Sequence, residues 1–305
     1  MIRVALLAVM GAAALMVIAV WSADLRRARA ADRHAAGLPT RLQLAIGFVT
    51  NFFDTLGIGS FATTTAAFQA FRLVPDEQLP GTLIVGHSLP AILQGLLFLA
   101  AVEVDPVVAL VLIASTVTGS RLGAGVSTRL PRRPIQLGMG IGLALAALFM
   151  TASQLGGFSD GGTAIGLPTG RLAIAAVTFT LFGALLTIGI GNFAPSLLLL
   201  SLMGMDPRAA FPVMMGASAL STYAAGSTFI REARYERRAA LGLTLGGLPA
   251  VLIAGLLVKS LPLTALRWLV VVVVFYAAGR MLRAARGDGR TGRSDPPPVS
   301  RSGTV

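Results

Sequence analysis

The side chains of this sequence that could do chemistry gather around one tripeptide written twice. Gly57-Ile58-Gly59 is followed by Ser60 and Thr63, and Gly189-Ile190-Gly191 by Asn192 and Ser196. Each tripeptide interrupts an apolar stretch, 42–73 and 172–203. The arms on either side are too short to cross a bilayer, which takes about 20 residues. Glycine lets a chain leave helical geometry, and hydroxyl or amide side chains can cap the first free N–H groups of the next helix. The pattern predicts a helix broken at membrane depth, against protein or a watery cavity rather than lipid. A helix start carries about half a positive charge and unpaired donors. Two such starts facing each other make a cradle for an anion without any lysine. As plain helix caps the same residues are equally at home, and the two roles can coexist.

Ionisable groups inside apolar spans are few, and in a membrane such groups are functional by default. Asp54 lies one turn before the first break. It is read either as a proton carrier or organiser of a coupling ion, or as a carboxylate bonded to the N–H groups of the broken helix. Arg121 lies within the span 107–128, in Thr118-Gly119-Ser120-Arg121-Leu122-Gly123. Its planar fork suits an oxyanion; the alternatives are snorkelling to headgroups or pairing with a carboxylate such as Asp54. His87, a histidine within a span, is read as a pH-linked gate or as a neutral packing group. The pairs Gly119/Gly123 and Gly242/Gly246 fit close helix contact. No His-Glu-x-x-His, Gly-x-Ser-x-Gly or nucleotide-binding loop occurs, so neither a cofactor, a metal, an enzyme nor an ATP drive is expected.

The elements that must position these residues follow from composition. Only 12% of the 305 residues are charged and 55% are hydrophobic, which excludes an ordinary soluble domain and makes the chain an all-α polytopic membrane protein. The formal charge of +12 sits in short runs between apolar spans. That is the pattern of cytoplasmic loops at a bilayer and not of a nucleic-acid binder. With no cysteine, disulfides and thiol chemistry are excluded. Residues 4–20 read as a first span with its N-terminus outside, because Arg26, Arg27 and Arg29 follow it; 22–41 is then a cytoplasmic linker. The expected domains are 1–41 for the first span and linker, 42–155 for one repeat, 156–171 for a Gly-rich connector, 172–285 for the second repeat, and 286–305 for a disordered proline-rich tail. Within the repeats, spans are expected near 80–101, 106–128, 135–155, 208–230, 239–258 and 262–282.

The repeat is explicit. At an offset of 132, Thr55, Gly57, Ile58, Gly59, Phe61, Ala62, Pro75 and Pro80 meet Thr187, Gly189, Ile190, Gly191, Phe193, Ala194, Pro207 and Pro212. If each broken segment crosses once, Lys and Arg divide 16 to 8 between the two sides, leaving Arg121 aside; if each folds back as a hairpin, they divide 19 to 5. The positive-inside rule favours hairpins. Each repeat then has an odd number of crossings, and the second half is inverted, an architecture of secondary transporters.

The duplicated Gly-x-Gly, with Pro75 and Pro80 in one copy and Pro195, Pro207 and Pro212 in the other, resembles the TauE/SafE (sulfite exporter, TSUP) family over 42–284. The family's small-residue-plus-serine turn appears as Gly86-His87-Ser88 and Gly216-Ala217-Ser218. Its common third glycine is replaced by Ser60 and Asn192. The resemblance implies a multi-pass permease of the cell (inner) membrane that moves sulfite, an organosulfonate or a related anion, with the lipid bilayer and that anion as partners. Alternating access around the two breaks is the expected mechanism, and association of copies is left open. The rival readings are an intramembrane enzyme and a membrane scaffold.

Overall fold

The computed structural model describes residues 1–31, 37–156, 162–257 and 264–291, and all statements below concern them. The fold is all-α, with one isolated bridge between Ala164 and Met205. The helices are α1 (Ile2–Ala31), α2 (Arg41–Thr55), α3 (Ser60–Ala70), α4 (Leu79–Ala101), α5 (Pro106–Ser127), α6 (Arg132–Gln154), α7 (Thr169–Leu186), α8 (Phe193–Leu202), α9 (Pro207–Arg231), α10 (Arg237–Leu257) and α11 (Thr264–Thr291). Six of them (α1, α4, α5, α6, α7 and α10) are long and apolar enough to cross a membrane. The chain is a multi-pass membrane protein.

Two elements outrun their expected ends. α1 does not stop before residue 22 but runs to Ala31. Residues 22–31 contain no glycine or proline, and Asp24 ties the extension down by accepting from the Arg237 Nε at 2.9 Å and from the Tyr235 hydroxyl. α11 likewise continues to Thr291, past the expected boundary at 285. The proline-rich tail at 296–298 lies outside the described residues, as do 32–36 of the linker and 157–161 of the connector. The rest of the connector is pinned: Ala164 accepts from Asp206 N–H at 2.8 Å, and Asp105 N–H donates to Ile165 at 2.9 Å.

Both breaks close in the same way. Gly57 N–H donates to Asp54 C=O at 2.9 Å and Ile58 N–H to Phe53 C=O at 3.0 Å. Gly189 N–H donates to Leu186 at 3.0 Å and Ile190 N–H to Leu185 at 3.3 Å. This is the paired closure of a Schellman cap, which needs a left-handed residue after the helix. Gly57 (φ 91°) and Gly189 (φ 87°) supply it. The free carbonyls of α2 and α7 are thus partly satisfied at membrane depth, where water is scarce.

Helix directions follow from who touches whom. Gln43 lies against Gly242, Leu44 and Phe48 against Gly246, and Asn51 against Gly247, so α2 and α10 run parallel. Asn51 meets His87 and Thr55 meets Gln94, so α2 also runs parallel to α4. Because α2 and α4 begin at the same end, here face A, α3 carries the chain back and the first broken segment is a re-entrant hairpin. The second enters from the opposite end, face B. Its α7 runs parallel to α5, with Thr180 against Gly119 and Ala184 against Gly123. Arg171 at the start of α7 reaches the Met203 C=O just past α8, at 2.8 Å. α5 and α9 both start at face B on an Asp-Pro pair, Asp105 capping Val107 N–H at 2.8 Å and Asp206 capping Arg208 N–H at 2.7 Å.

Helix pairing exchanges between the halves. α2 packs on α10 as α7 packs on α5, α4 on α10 as α9 on α5, while α4 pairs with α9 and α6 with α11. The closest contacts run over glycine. A Cβ added at Gly246 would strike the Leu44 carbonyl, and one at Gly183 the Thr116 carbonyl, whereas one at Gly125 meets nothing within 4 Å. Gly246→Ala is therefore expected to lower unfolding stability in detergent by about 1–3 kcal/mol, the usual range for overpacking. Gly125→Ala, read by the same thermal scan, should leave it unchanged.

Candidate functional site

The two breaks end in contact with each other. The Gly59 Cβ position lies 3.9 Å from Phe193 Cβ, and that of Gly191 lies 3.3 Å from Phe61 Cβ. Phe61 and Phe193 are themselves equivalent in the repeat, so each tip rests its phenylalanine on the other's glycine. Between the tips is a small cavity, about 50 Å³ measured as room for the centre of a water-sized sphere. It is large enough for a few waters or one small anion. The first tip contributes Ile58 to Ala62, and the second Gly189 to Phe193. α2 adds Asp54, α4 His87, α9 Ser218 and Thr222, and α6 the apolar floor of Gly142, Leu143, Ala146 and Met150.

Of the residues singled out in the sequence, Asp54, Gly59, Ser60, His87, Gly189, Gly191 and Asn192 line this cavity. Gly57 faces a neighbouring one. Thr63 turns its hydroxyl back to the carbonyls of Gly59 (3.1 Å) and Ser60 (2.9 Å). Ser196 is buried in the first turn of α8, and its hydroxyl has no hydrogen-bond partner. Arg121 is not brought to the site. It is exposed on the outside of α5, beside the exposed Thr118, Leu122 and Gly125, six residues before the helix end. That is a position from which a long side chain reaches headgroups.

Neither helix start is capped by a side chain of its own cap residue. At α3 the place is taken by Asp54, which Ser60 faces through both its hydroxyl and its backbone N–H. Gln94 completes the set: its amide Nε2 donates to Asp54 Oδ2 at 3.2 Å and to Thr55 Oγ1 at 2.9 Å. At α8 the residue equivalent to Asp54 is Leu186, so no carboxylate stands before that helix start. Asn192, its cap residue, accepts instead from the Ser218 hydroxyl at 3.4 Å. The wall of the cavity holds one carboxylate and no lysine or arginine.

His87 sits in a closed chain of bonds. Asn51 Nδ2 donates to the Gly47 C=O at 2.7 Å, which leaves Asn51 Oδ1 to accept from His87 Nδ1 at 3.0 Å. His87 Nε2 then accepts from the Thr64 hydroxyl at 3.1 Å. With the neutral Nδ1–H tautomer every member is satisfied. Asn51 and Gln94 are functional neighbours that the sequence reading passed over. Their signal was the same as that for charge, a polar group inside an apolar span, applied there to ionisable groups alone.

Two further cavities adjoin the first. One of about 260 Å³ shares Ile58, Met150 and Phe193 with it and leads toward face B past Gly57, Gln154, Pro207 and Phe211. Phe211 stacks on Phe98 and meets Phe193 edge-on, centroids 5.4 and 5.6 Å apart. The other, about 420 Å³ and apolar, lies between α6, α7 and α8 and shares Ile190, Gly191 and Asn192.

The family model described as Sulfite exporter TauE/SafE matches residues 172–305. Over those residues the chain is similar to the TauE/SafE family. The match begins with α7, so it takes in the second tip, Gly189 to Asn192, and the α9 wall of the cavity. No curated protein matches the chain, and no solved structure does.

The closed bonds of His87 give a test of its part. His87→Leu leaves Asn51 Oδ1 and the Thr64 hydroxyl without their partner and is expected to cost about 1–3 kcal/mol of stability. His87→Gln, which can both donate and accept, should recover most of that in the same thermal scan.

Proposed function

We propose that this protein is a secondary transporter of a small oxyanion, sulfite or an organosulfonate in class, working by alternating access around the two tips of inverted repeats. The observation that carries the reading is the meeting of two helix starts at one cavity within the membrane-spanning bundle, that of α3 covered by Asp54 and that of α8 without a carboxylate before it. Helix starts offer N–H donors and positive dipole ends to an anion, and secondary transporters place their sites at such breaks. The exchanged helix pairings and opposite entry of the two hairpins support inverted repeats. Face A carries the arginines of the loops at 72, 129–133 and 231–238 and the ends of α1 and α11. Face B, among the described side chains, carries Arg3, Arg171 and Arg208 beside Glu103, Asp105 and Asp206. By the positive-inside rule face A is cytoplasmic, and the first N-terminus lies outside. An inner cell membrane fits that orientation.

Charge decides how the anion is held. A second negative charge about 5 Å from an ionised Asp54 would be opposed by on the order of 3 kcal/mol at an effective dielectric of 20. No lysine or arginine on the cavity wall offsets this. The anion therefore takes the open start of α8, at Asn192, and arrives with a proton on Asp54. His87 on α4 is the other titratable group of the wall, and its bonds to Asn51 and Thr64 hold it neutral; α3, α6, α8 and α9 contribute none.

Five outcomes check the reading in proteoliposomes. Labelled sulfite or a small sulfonate should cross, and a neutral isostere should not; passage of neither anion would remove the proposal. Gly59→Leu, strained at φ 86° as well as bulky, and Gly191→Leu, which runs into Phe61, should each abolish flux. Wild-type anion binding should strengthen as pH falls, because protonation removes the repelling charge. Asp54→Asn should bind at a level independent of pH and lose uptake driven by a proton gradient. Arg121→Gln, outside the site, should transport normally.

A further inference from the structure

Face A has a pocket of its own. About 420 Å³ in size, it is lined by Gln69 at the end of α3, by Arg72 and Asp76 in the loop that follows, by Arg132 at the start of α6, and by Arg280 on α11. Three guanidinium groups and one carboxylate face it, so its net charge is positive. Arg132 Nη2 pairs with Asp76 Oδ2 at 3.2 Å, and Arg280 Nη1 donates to the Gln69 C=O at 2.8 Å.

From this pocket two helix faces run inward to the cavity between the tips. On α3 the positions Gln69, Thr65 and Ala62 follow each other at spacings of four and three, which share one face of a helix. Gln69 lines the pocket and Ala62 the cavity. On α6 the positions Arg132, Gln136, Met139 and Leu143 do the same; Arg132 lines the pocket and Leu143 the cavity. The stretch from 62 to 69 is about 10 Å long at a helical rise of about 1.5 Å per residue. Along it lie three buried polar atoms without a hydrogen-bond partner: Thr65 Oγ1, Gln69 Oε1 and Gln136 Oε1. Thr65 and Gln136 are fully buried. Polar atoms are rarely left this way in a dry core unless another arrangement satisfies them.

The repeat supplies the other arrangement. At the offset of 132, Thr65 corresponds to Leu197 and Pro75 to Pro207. Leu197 and Pro207 line the face B cavity, which reaches the tips at Gly57, Ile58 and Phe193. Pro75 lines the face A pocket, which stops at Gln69. The two are counterparts, one continuous with the central cavity and the other shut along Thr65 and Gln136.

We infer that the face A pocket is an anion-binding vestibule formed by Arg72, Arg132 and Arg280, and that the seam of Gln69, Thr65 and Gln136 is the closed half of the anion's path to the central cavity. When the seam parts, its orphaned hydroxyl and amide groups meet water and the passing anion, while the face B side closes over Phe193 and Phe211. This rests on the transporter reading above.

The cysteine-free chain makes the test direct. Thr65→Cys, Gln136→Cys and Gln69→Cys are reconstituted separately, checked for wild-type unfolding temperature, and exposed from face A to iodoacetate or to neutral iodoacetamide. Pro131→Cys, on the exposed face A loop, and Thr50→Cys, buried on α2 away from the seam, are the controls. Relative to Pro131→Cys, the seam thiols should favour the anionic reagent by about tenfold or more, as a cleft of one sign concentrates counter-ions. Methanesulfonate should slow the reaction, and modification at 65 or 136 should stop sulfite flux. Arg72→Gln should raise the half-saturating anion concentration from face A and leave that from face B unchanged. If wild-type protein carries sulfite while 65 and 136 react no faster than Thr50→Cys, the path lies elsewhere and the transporter reading stands. Modification at both that leaves flux intact overturns the inference in the same way. If wild-type protein carries no anion at all, both fall together.

Discussion

Everything in this structure depends on what happens to the backbone where two helices stop inside the membrane. A chain that breaks there exposes peptide groups that lipid cannot satisfy. At each break two carbonyls are taken up by the turn itself, at Asp54 and Phe53 and again at Leu186 and Leu185. What the turn cannot satisfy are the N–H groups of the helix that begins next. At α3 Asp54 takes the Ser60 N–H, and the start of α8 has no such carboxylate; both starts border the cavity between the tips. The polar character of the site is thus largely a property of the main chain, which is how so apolar a sequence would hold the anion proposed for it.

The surrounding helices keep the tips in register by close contact. α2 on α10 and α7 on α5 approach over Gly246 and Gly183, with backbone nearly touching backbone. Each hairpin is therefore supported chiefly by a helix of the opposite half. α6 and α11, which pair with each other, both border the face A pocket, and α6 also lines the cavity between the tips. Relative movement of that pair against the glycine-locked helices would change which face the cavity meets without undoing either tip.

Much of this was legible in the sequence. Gly57 and Gly189 announce themselves because only glycine takes the left-handed turn cheaply, and the shared offset ties the two tips together. Asp54 stands out as an acid in an apolar span, and the structure places it on the cavity. Arg121 stands out for the same reason and faces outward, because a one-dimensional pattern gives depth in the bilayer but not the side of the helix. The amides Asn51, Gln94 and Gln136 carry no charge and no motif; their importance lies in partners distant in the chain, His87, Asp54 and Asp76. The true length of α1 was hidden too, since its last turns are held by Arg237 and Tyr235 from the far end of the chain.

The difference between Asp54 and Leu186 has a consequence for energetics. The two tips share one sequence pattern but hold a single carboxylate between them, so one proton carried there would offset one negative charge of a bound anion. A monovalent anion crossing with its proton moves no net charge, and the membrane voltage does no work on it; the pH difference alone sets the gradient it can reach. A divalent anion crossing the same way carries one charge outward or inward, worth about 2.3 kcal/mol per 100 mV. On the transporter reading proposed above, the ionisation state of the solute, sulfite against hydrogensulfite for instance, would determine whether transport responds to voltage at all.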